Sequence, residues 1–234
     1  MGRMEMQEAV STAPTRRRPG RPARLSREQI VESAVAIADG GGLEAVTMRT
    51  VAHRLGAEAM SLYRHVANKE DLVDGMIDLV YGEIELPDPA APWPDALRAR
   101  AISARAALVR HPWSIALMES RTRPGPMNLR HHEALLGVLV RFEYSAAGAT
   151  RIVNILDSYT YGFALQEASL PVATPEALAE AMPDLLAQLP TGEYPLLARA
   201  AQEFMDAGFD YRAEFEVGLD LVLDALQRTE KAPE

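Results

Sequence analysis

LEAVTMRTVAHRLGAEAMSLYRHVANKEDLVDGM, residues 43–76, holds two short helical patterns parted by a Gly-containing turn, then an aromatic/His pair, then a capped third helix. Thr47 is a good N-cap for a helix containing Val51, Ala52 and Leu55, and Gly56 supplies the backbone freedom that ends it. A short helix over about Glu58 to Arg64 follows, with Leu62 and Val66 facing inward. Asn68 caps the next one, with Asp71 in the reciprocal box position and Leu72, Met76, Ile77 and Val80 as the apolar stripe. Two short helices about a tight turn, packed on a longer first helix, expose the N-terminal end of the second. That is the geometry needed to enter a DNA major groove.

Upstream, Ser26 and Gln29 form a capping box for a first helix with Ile30, Ala34, Ile37 and Ala38 at helical spacing, ended by Gly40-Gly41-Gly42. Residues 1–24 carry TRRRPGRPAR with little apolar content and are expected to be a flexible basic arm. Downstream, LPDPAAPWP (86–94) is too Pro-rich for helix interior and marks a hinge. The rest reads as helices: Asp95 to Arg110, Pro112 to Met118, Pro126 to Phe142, Ala146 to Ser169, Pro175 to Gln188, Tyr194 to Ala207 and Tyr211 to Arg228. No strand-like alternation stands out, so the chain is expected to be all-α.

The charge is unevenly spread. Residues 1–70 carry 11 Lys/Arg against 8 Asp/Glu, whereas the other 164 carry 13 against 25, which hides a basic end inside a net charge of −9. A basic end on an acidic body orients the molecule in the field of a polyanion. There are no cysteines, which removes disulfides, thiolate metal sites and Cys nucleophiles and suits a reducing cytoplasm. MGRMEMQEAV lacks a signal-peptide core, and the longest apolar run, Ala134 to Val140, falls short of the ~20 residues of a membrane span. A cytoplasmic protein with no membrane partner is expected.

These residues resemble the tetracycline-repressor (TetR) family of transcriptional regulators. The resemblance is carried by Val46-Thr47-Met48-Arg49, Val51-Ala52, Leu55-Gly56, Ser61-Leu62-Tyr63-Arg64-His65-Val66 and Asn68-Lys69-Glu70-Asp71-Leu72. Weaker similarity to the subgroup with a tetracycline-repressor-like C-terminal domain continues through Arg121-Thr122-Arg123-Pro124 and Asp157-Ser158-Tyr159-Thr160-Tyr161-Gly162-Phe163. It implies an arm (1–24), a three-helix helix-turn-helix domain (25–70), a connecting helix (71–85) and a helical ligand-binding and dimerisation domain (86–234). It also implies a ligand-responsive regulator, most often a repressor, that binds a palindromic operator as a homodimer and is released by a small-molecule effector.

Specific roles can be placed on this frame. Thr47, Arg49, Ala59, Met60, Ser61, Tyr63, His65 and Lys69 are the expected DNA-binding residues. Lys69 adds its charge to free amides in the first turn of a helix, and Arg49 can reach a guanine edge. The spacing leaves His65 as a packed aromatic, a phosphate donor or a base reader. Some relatives carry an amide side chain where this chain has Ala59, so specificity is expected to rest on Arg49, Ser61 and groove shape. Arg18 and Arg21, in RPGRP, resemble the core of a minor-groove hook; the bland reading is a charged tail.

For the C-terminal domain, Met118, Met127, His131, Leu135, Tyr159, Phe163 and Gln166 mix apolar bulk with polar groups as a small-molecule site does. Tyr161, Leu165, Phe215, Gly218, Leu219 and Val222 are the expected dimer contacts. Glu85, Glu119 and Gln166 stand near the places where metal-tetracycline binders chelate magnesium, and adjacent His131 and His132 point ~100° apart on a helix. No metal or cofactor is therefore expected. No Gly-rich phosphate loop, His-Glu-x-x-His pattern or nucleophile elbow supports an enzyme. An architectural DNA binder would need basic charge beyond the arm.

Overall fold

The computed structural model describes residues 25–121, 123–170, 193–206, 208 and 210–228, together with single positions between 177 and 187. The expected arm and most of the Pro175 to Gln188 helix lie outside the described residues.

Every regular element among the described residues is helical. Helix α1 (Arg27–Gly41) begins at the Ser26/Gln29 capping box, in which each side chain bonds the other's backbone. A 3-10 turn (Leu43–Ala45) leads to α2 (Met48–Arg54), capped by Thr47. Gly56, with φ +62°, turns the chain into α3 (Ala59–Leu62). A side chain at such a φ costs about 1 kcal/mol, which Gly avoids. Helix α3 is shorter than the expected 58–64. The Leu62 carbonyl takes both the His65 and Val66 amides, which closes the helix as a turn.

Asn68 caps α4 (Lys69–Glu83) by accepting from the Asp71 amide at 2.8 Å. The reciprocal half of the box is not made. The Asp71 carboxylate accepts instead from the Ala67 amide and from Arg27 of α1. Helix α5 (Trp93–Arg110) starts inside the expected hinge, because Pro94 falls in its first turn, where no amide donor is needed. Pro112–Leu117 is a 3-10 turn. Then come α6 (Pro126–Arg141), α7 (Ala146–Ala168), α8 (Pro195–Asp206) and α9 (Tyr211–Gln227).

Two cores result. The first joins α1–α4 to the end of α5 and the following turn, with Ile30, Val51, Leu62, Leu72, Met76, Leu108 and Met118 buried. The second joins the start of α5 to α6, α7 and α9 through Trp93, Leu97, Leu139, Ile152, Phe215 and Leu219. Each full burial of a Leu or Ile contributes roughly 2 kcal/mol. Helix α5 belongs to both cores, and its residue at the seam is Arg100. No helix among the described residues is long and apolar enough to cross a membrane.

Candidate nucleic-acid interface and buried polar site

The head of the molecule sorts its residues cleanly. Val51, Ala52, Leu62, Val66 and Leu72 are buried, while Thr47, Arg49, Met60, Tyr63 and Lys69 are exposed on successive elements. Thr47 is engaged locally: its hydroxyl accepts from the Thr50 amide at 3.1 Å, and Thr50 returns the bond at 2.9 Å. Ser61 donates its hydroxyl to the Glu58 carbonyl at 2.6 Å, so it meets an outside group chiefly as an acceptor. Ala59 is half-buried against the first core. Met60, 74% exposed, is the projecting apolar group of α3, and Tyr63 is 46% exposed. His65 is half-buried and its carbonyl accepts from Arg27. Lys69 opens α4, where the helix dipole places partial positive charge, while the Asn68 side chain already takes the Asp71 amide. Arg18 and Arg21 lie outside the described residues.

Helix α4 connects this head to everything behind it through a series of carboxylates. Asp71 takes both ends of the Arg27 guanidinium, at 2.9 and 2.6 Å, which clamps α1. Asp74 accepts from Arg121 at 2.5 Å. Asp78 accepts the Met127 amide at 2.7 Å and the Asn128 amide at 3.3 Å, so a side chain of α4 caps the N-terminus of α6. At the far end, His111 lies between Asp39 of α1 at 2.7 Å and Glu83 of α4 at 3.2 Å. Helix α6 and the Arg121 segment are thus tied directly to α4.

The seam between the cores holds the least expected feature. Arg100 is fully buried and pairs with Asp157 of α7 through a single nitrogen, Nη1. Among the described residues, its Nε and Nη2, the hydroxyls of Tyr81 and Tyr161 and both ring nitrogens of His131 are buried without a close hydrogen-bond partner, although these groups interact with one another electrostatically. The groups stand close enough to perturb one another. Burial pushes the Tyr161 phenol up to about 12, with Asp157 acting the same way and Arg100 and Tyr81 opposing. Burial raises the Tyr81 phenol too. Burial opposes the charge on Arg100, but Asp157 and Tyr161 outweigh it and hold the guanidinium charged. Burial, then Arg100, lowers the pKa of His131, which keeps it neutral at neutral pH. Its ring lies 5.9 Å from that of Tyr81.

Of the expected ligand residues, His131 belongs to this group, Leu135 and Met118 are buried in the two cores, and Met127 is half-buried at the start of α6. Tyr159 and Phe163 are elsewhere. Tyr159 stacks on Phe215 at 5.4 Å and donates to its carbonyl at 2.9 Å, and Phe163 meets the same ring edge-on at 5.2 Å. Gln166 is exposed. Of the expected dimer residues, Tyr161 turns its hydroxyl inward, while Phe215 and Leu219 are fully buried within the chain. Gly218 is where Tyr159 crosses α9, and a methyl there would strike the Tyr159 hydroxyl. Val222 packs on the second core, and Leu165 is exposed. The apolar residues that α7 and α9 leave exposed are Ile155, Leu165, Val217 and Leu221.

Sequence reasoning missed Arg100, Asp157 and Tyr81. One signal was present: Arg100 falls on the apolar stripe Leu97, Ala101, Ala104, Leu108 of α5, where a charge is out of place unless it is used. Glu119, His132 and Asp157 bring one ligand atom each to within 4.8 Å of one another. Arg100 already neutralises Asp157, which weakens that set as a cation site.

Known proteins place this architecture. Residues 30–76 match the family model of bacterial regulatory proteins of the tetR family, and residues 86–229 match that of the tetracyclin repressor-like C-terminal domain. The HTH-type transcriptional repressor DrrR1 of Streptomyces coeruleorubidus is 34% identical over 236 positions, covering 94% of this chain and 86% of that one. The Escherichia coli tetracycline repressor protein class D is 28% identical, covering 86% of this chain and 88% of that one. The structure of the TetR family protein ActR of Streptomyces coelicolor in complex with actinorhodin superposes with TM-score 0.70 at 27% identity, over 88% of this chain and 98% of that one. The family consists of DNA-binding regulators rather than enzymes. With both of its domains matched and its helix order shared, the chain belongs to the tetracycline-repressor (TetR) family of bacterial transcriptional regulators.

Proposed function

We propose that this regulator is a repressor that binds a palindromic operator as a homodimer and lets go when a small-molecule effector enters the buried polar site. The observation that carries the reading is the carboxylate series on α4. Asp71 holds the DNA-reading head through Arg27, while Asp74 and Asp78 of the same helix hold the Arg121 segment and the first turn of α6. An effector that moves α6 or α7 changes the angle of α4, and so the separation of two heads in a dimer. DrrR1 is itself named a repressor, and ActR is seen with a bound small molecule, which supports the same assignment here. The exposed Ile155 and Leu165 of α7 and Val217 and Leu221 of α9 support a two-fold interface built from those helices. Footprinting of the DNA flanking the protein's own gene tests the proposal. Protection of two half-sites related by a two-fold axis is expected; protection without such symmetry, or none at all, rejects it.

A further inference from the structure

We infer that the chain's own basic segment, residues 15–24, docks in the cleft between α1, α4 and the start of α6 when no DNA is bound, so that DNA must displace it. This rests only on the chain's being a DNA-binding regulator and is independent of the operator's symmetry and of the effector.

The cleft has a volume of about 590 Å³, and Val31, Leu79 and Met127 give it an apolar lining. Its rim carries the carboxylates of Glu28, Glu32, Asp74, Asp78 and Glu83 against the single guanidinium of Arg27, which Asp71 already holds. Arg121 engages Asp74, the α6 amides engage Asp78, and Arg110 and His111 engage Glu83. Glu28 and Glu32 of α1 are exposed and enter no ion pair among the described residues. This excess of negative charge calls for a cation. Among the described residues, no three of the rim carboxylates bring ligand atoms together, so the set suits an extended polycation better than a metal ion.

Residues 15–24, TRRRPGRPAR, are such a polycation, with five arginines and no acid in ten residues. Pro19 and Pro22, set between the arginines, match the apolar lining. The segment joins α1 just before Arg27 and Glu28, which already belong to the rim. Ten residues reach at most ~35 Å, and Glu32 lies only ~7.5 Å along α1 from Arg27, so the arginines span the rim with chain to spare. A tether this short holds the two partners at an effective concentration on the order of millimolar, which populates contacts that separate molecules would not make. The same arginines are those expected to meet DNA, so cleft and phosphate compete for them. Docking in the cleft therefore subtracts from affinity for DNA of any sequence.

The chain has no cysteine, so introduced thiols are its only ones. Thr15→Cys with Gly82→Cys tests the contact, since a Cβ at Gly82 meets nothing closer than the Met127 Cγ at 3.9 Å. Mild oxidation of the full-length protein should close a disulfide within one chain about fivefold faster than for Thr15→Cys with Glu44→Cys, an exposed head position outside the cleft. High salt or excess random duplex should slow it. Affinity for a random duplex at one salt concentration gives the second readout. Glu28→Gln with Glu32→Gln should tighten that affinity about fivefold more in the otherwise native chain than in one also carrying Arg17→Gln and Arg18→Gln, the excess reporting release of the segment. A disulfide that closes only between chains, equal rates at positions 82 and 44, or a Glu→Gln effect of one size with and without the arginines overturns the inference. So does spermidine binding that ignores Arg17→Gln and Arg18→Gln, which would make the cleft a site for a free polyamine.

Discussion

At the scale of single residues, Lys69 is the proposed phosphate anchor and Arg49 the proposed base reader, both exposed on the head. Lys69 sits at an anion-favouring helix start, so Lys69→Ala should weaken binding to operator and random DNA alike and reduce the salt slope by about one. Arg49 is exposed and makes no hydrogen bond or ion pair among the described residues, whereas Thr47 and Ser61 are partly engaged with nearby backbone. Arg49→Ala should therefore lower the operator-to-random affinity ratio by about 1–3 kcal/mol, measured by competition at fixed salt. An unchanged ratio would remove Arg49 as a reader. Gly218→Ala should destabilise the fold by about 1–3 kcal/mol in a denaturant titration, since the new methyl meets the Tyr159 hydroxyl. The caps at Ser26, Thr47 and Asn68 were legible in the sequence because capping is local chemistry. The roles of Tyr159 and Tyr161 were not. They sit 200° apart on an ideal helix, and which of the two cores each one faces depends on the neighbouring helices.

Among elements, α4 makes the ties to α1, to the Arg121 segment and to α6. The Asp71 carboxyl is held below its ordinary 3.8 by the hydrogen bond from Arg27, against burial and with help from the Ala67 amide. A depressed folded pKa contributes stability that is full above the unfolded value and lost as pH falls through the folded one. The clamp between α1 and α4 should thus weaken as pH drops below about 3.8, and Asp71→Asn should flatten the fall of melting temperature in that range. An identical acid profile for both proteins would contradict this. Asp78→Ala removes the cap from α6, costing about 1 kcal/mol of stability, and should blunt effector release more than operator binding. The stripe of α4 was readable from its sequence as Leu72, Met76, Ile77 and Val80, all of them buried. That its opposite face carries the ties to α6 and Arg121 was not, because those partners lie about 50 residues away.

For the whole molecule, an all-helical chain with a helix-turn-helix head was visible in breakers, caps and period. The seam between the two cores was not, since it exists only once α5 is packed against α4, α6 and α7. Dimerisation belongs to this scale. Leu221 is 67% exposed and Val217 58% exposed on α9, so Leu221→Glu should give a monomeric sedimentation mass at micromolar concentration and cost most of the operator affinity. A dimeric mass in that variant would move the interface elsewhere.

The most direct measurement is a competition titration of the DNA flanking the gene against scrambled duplex at one salt concentration, followed by fluorescence anisotropy. The account predicts a preference of about a thousandfold or more, with two chains per site. Equal affinity for both duplexes would contradict it.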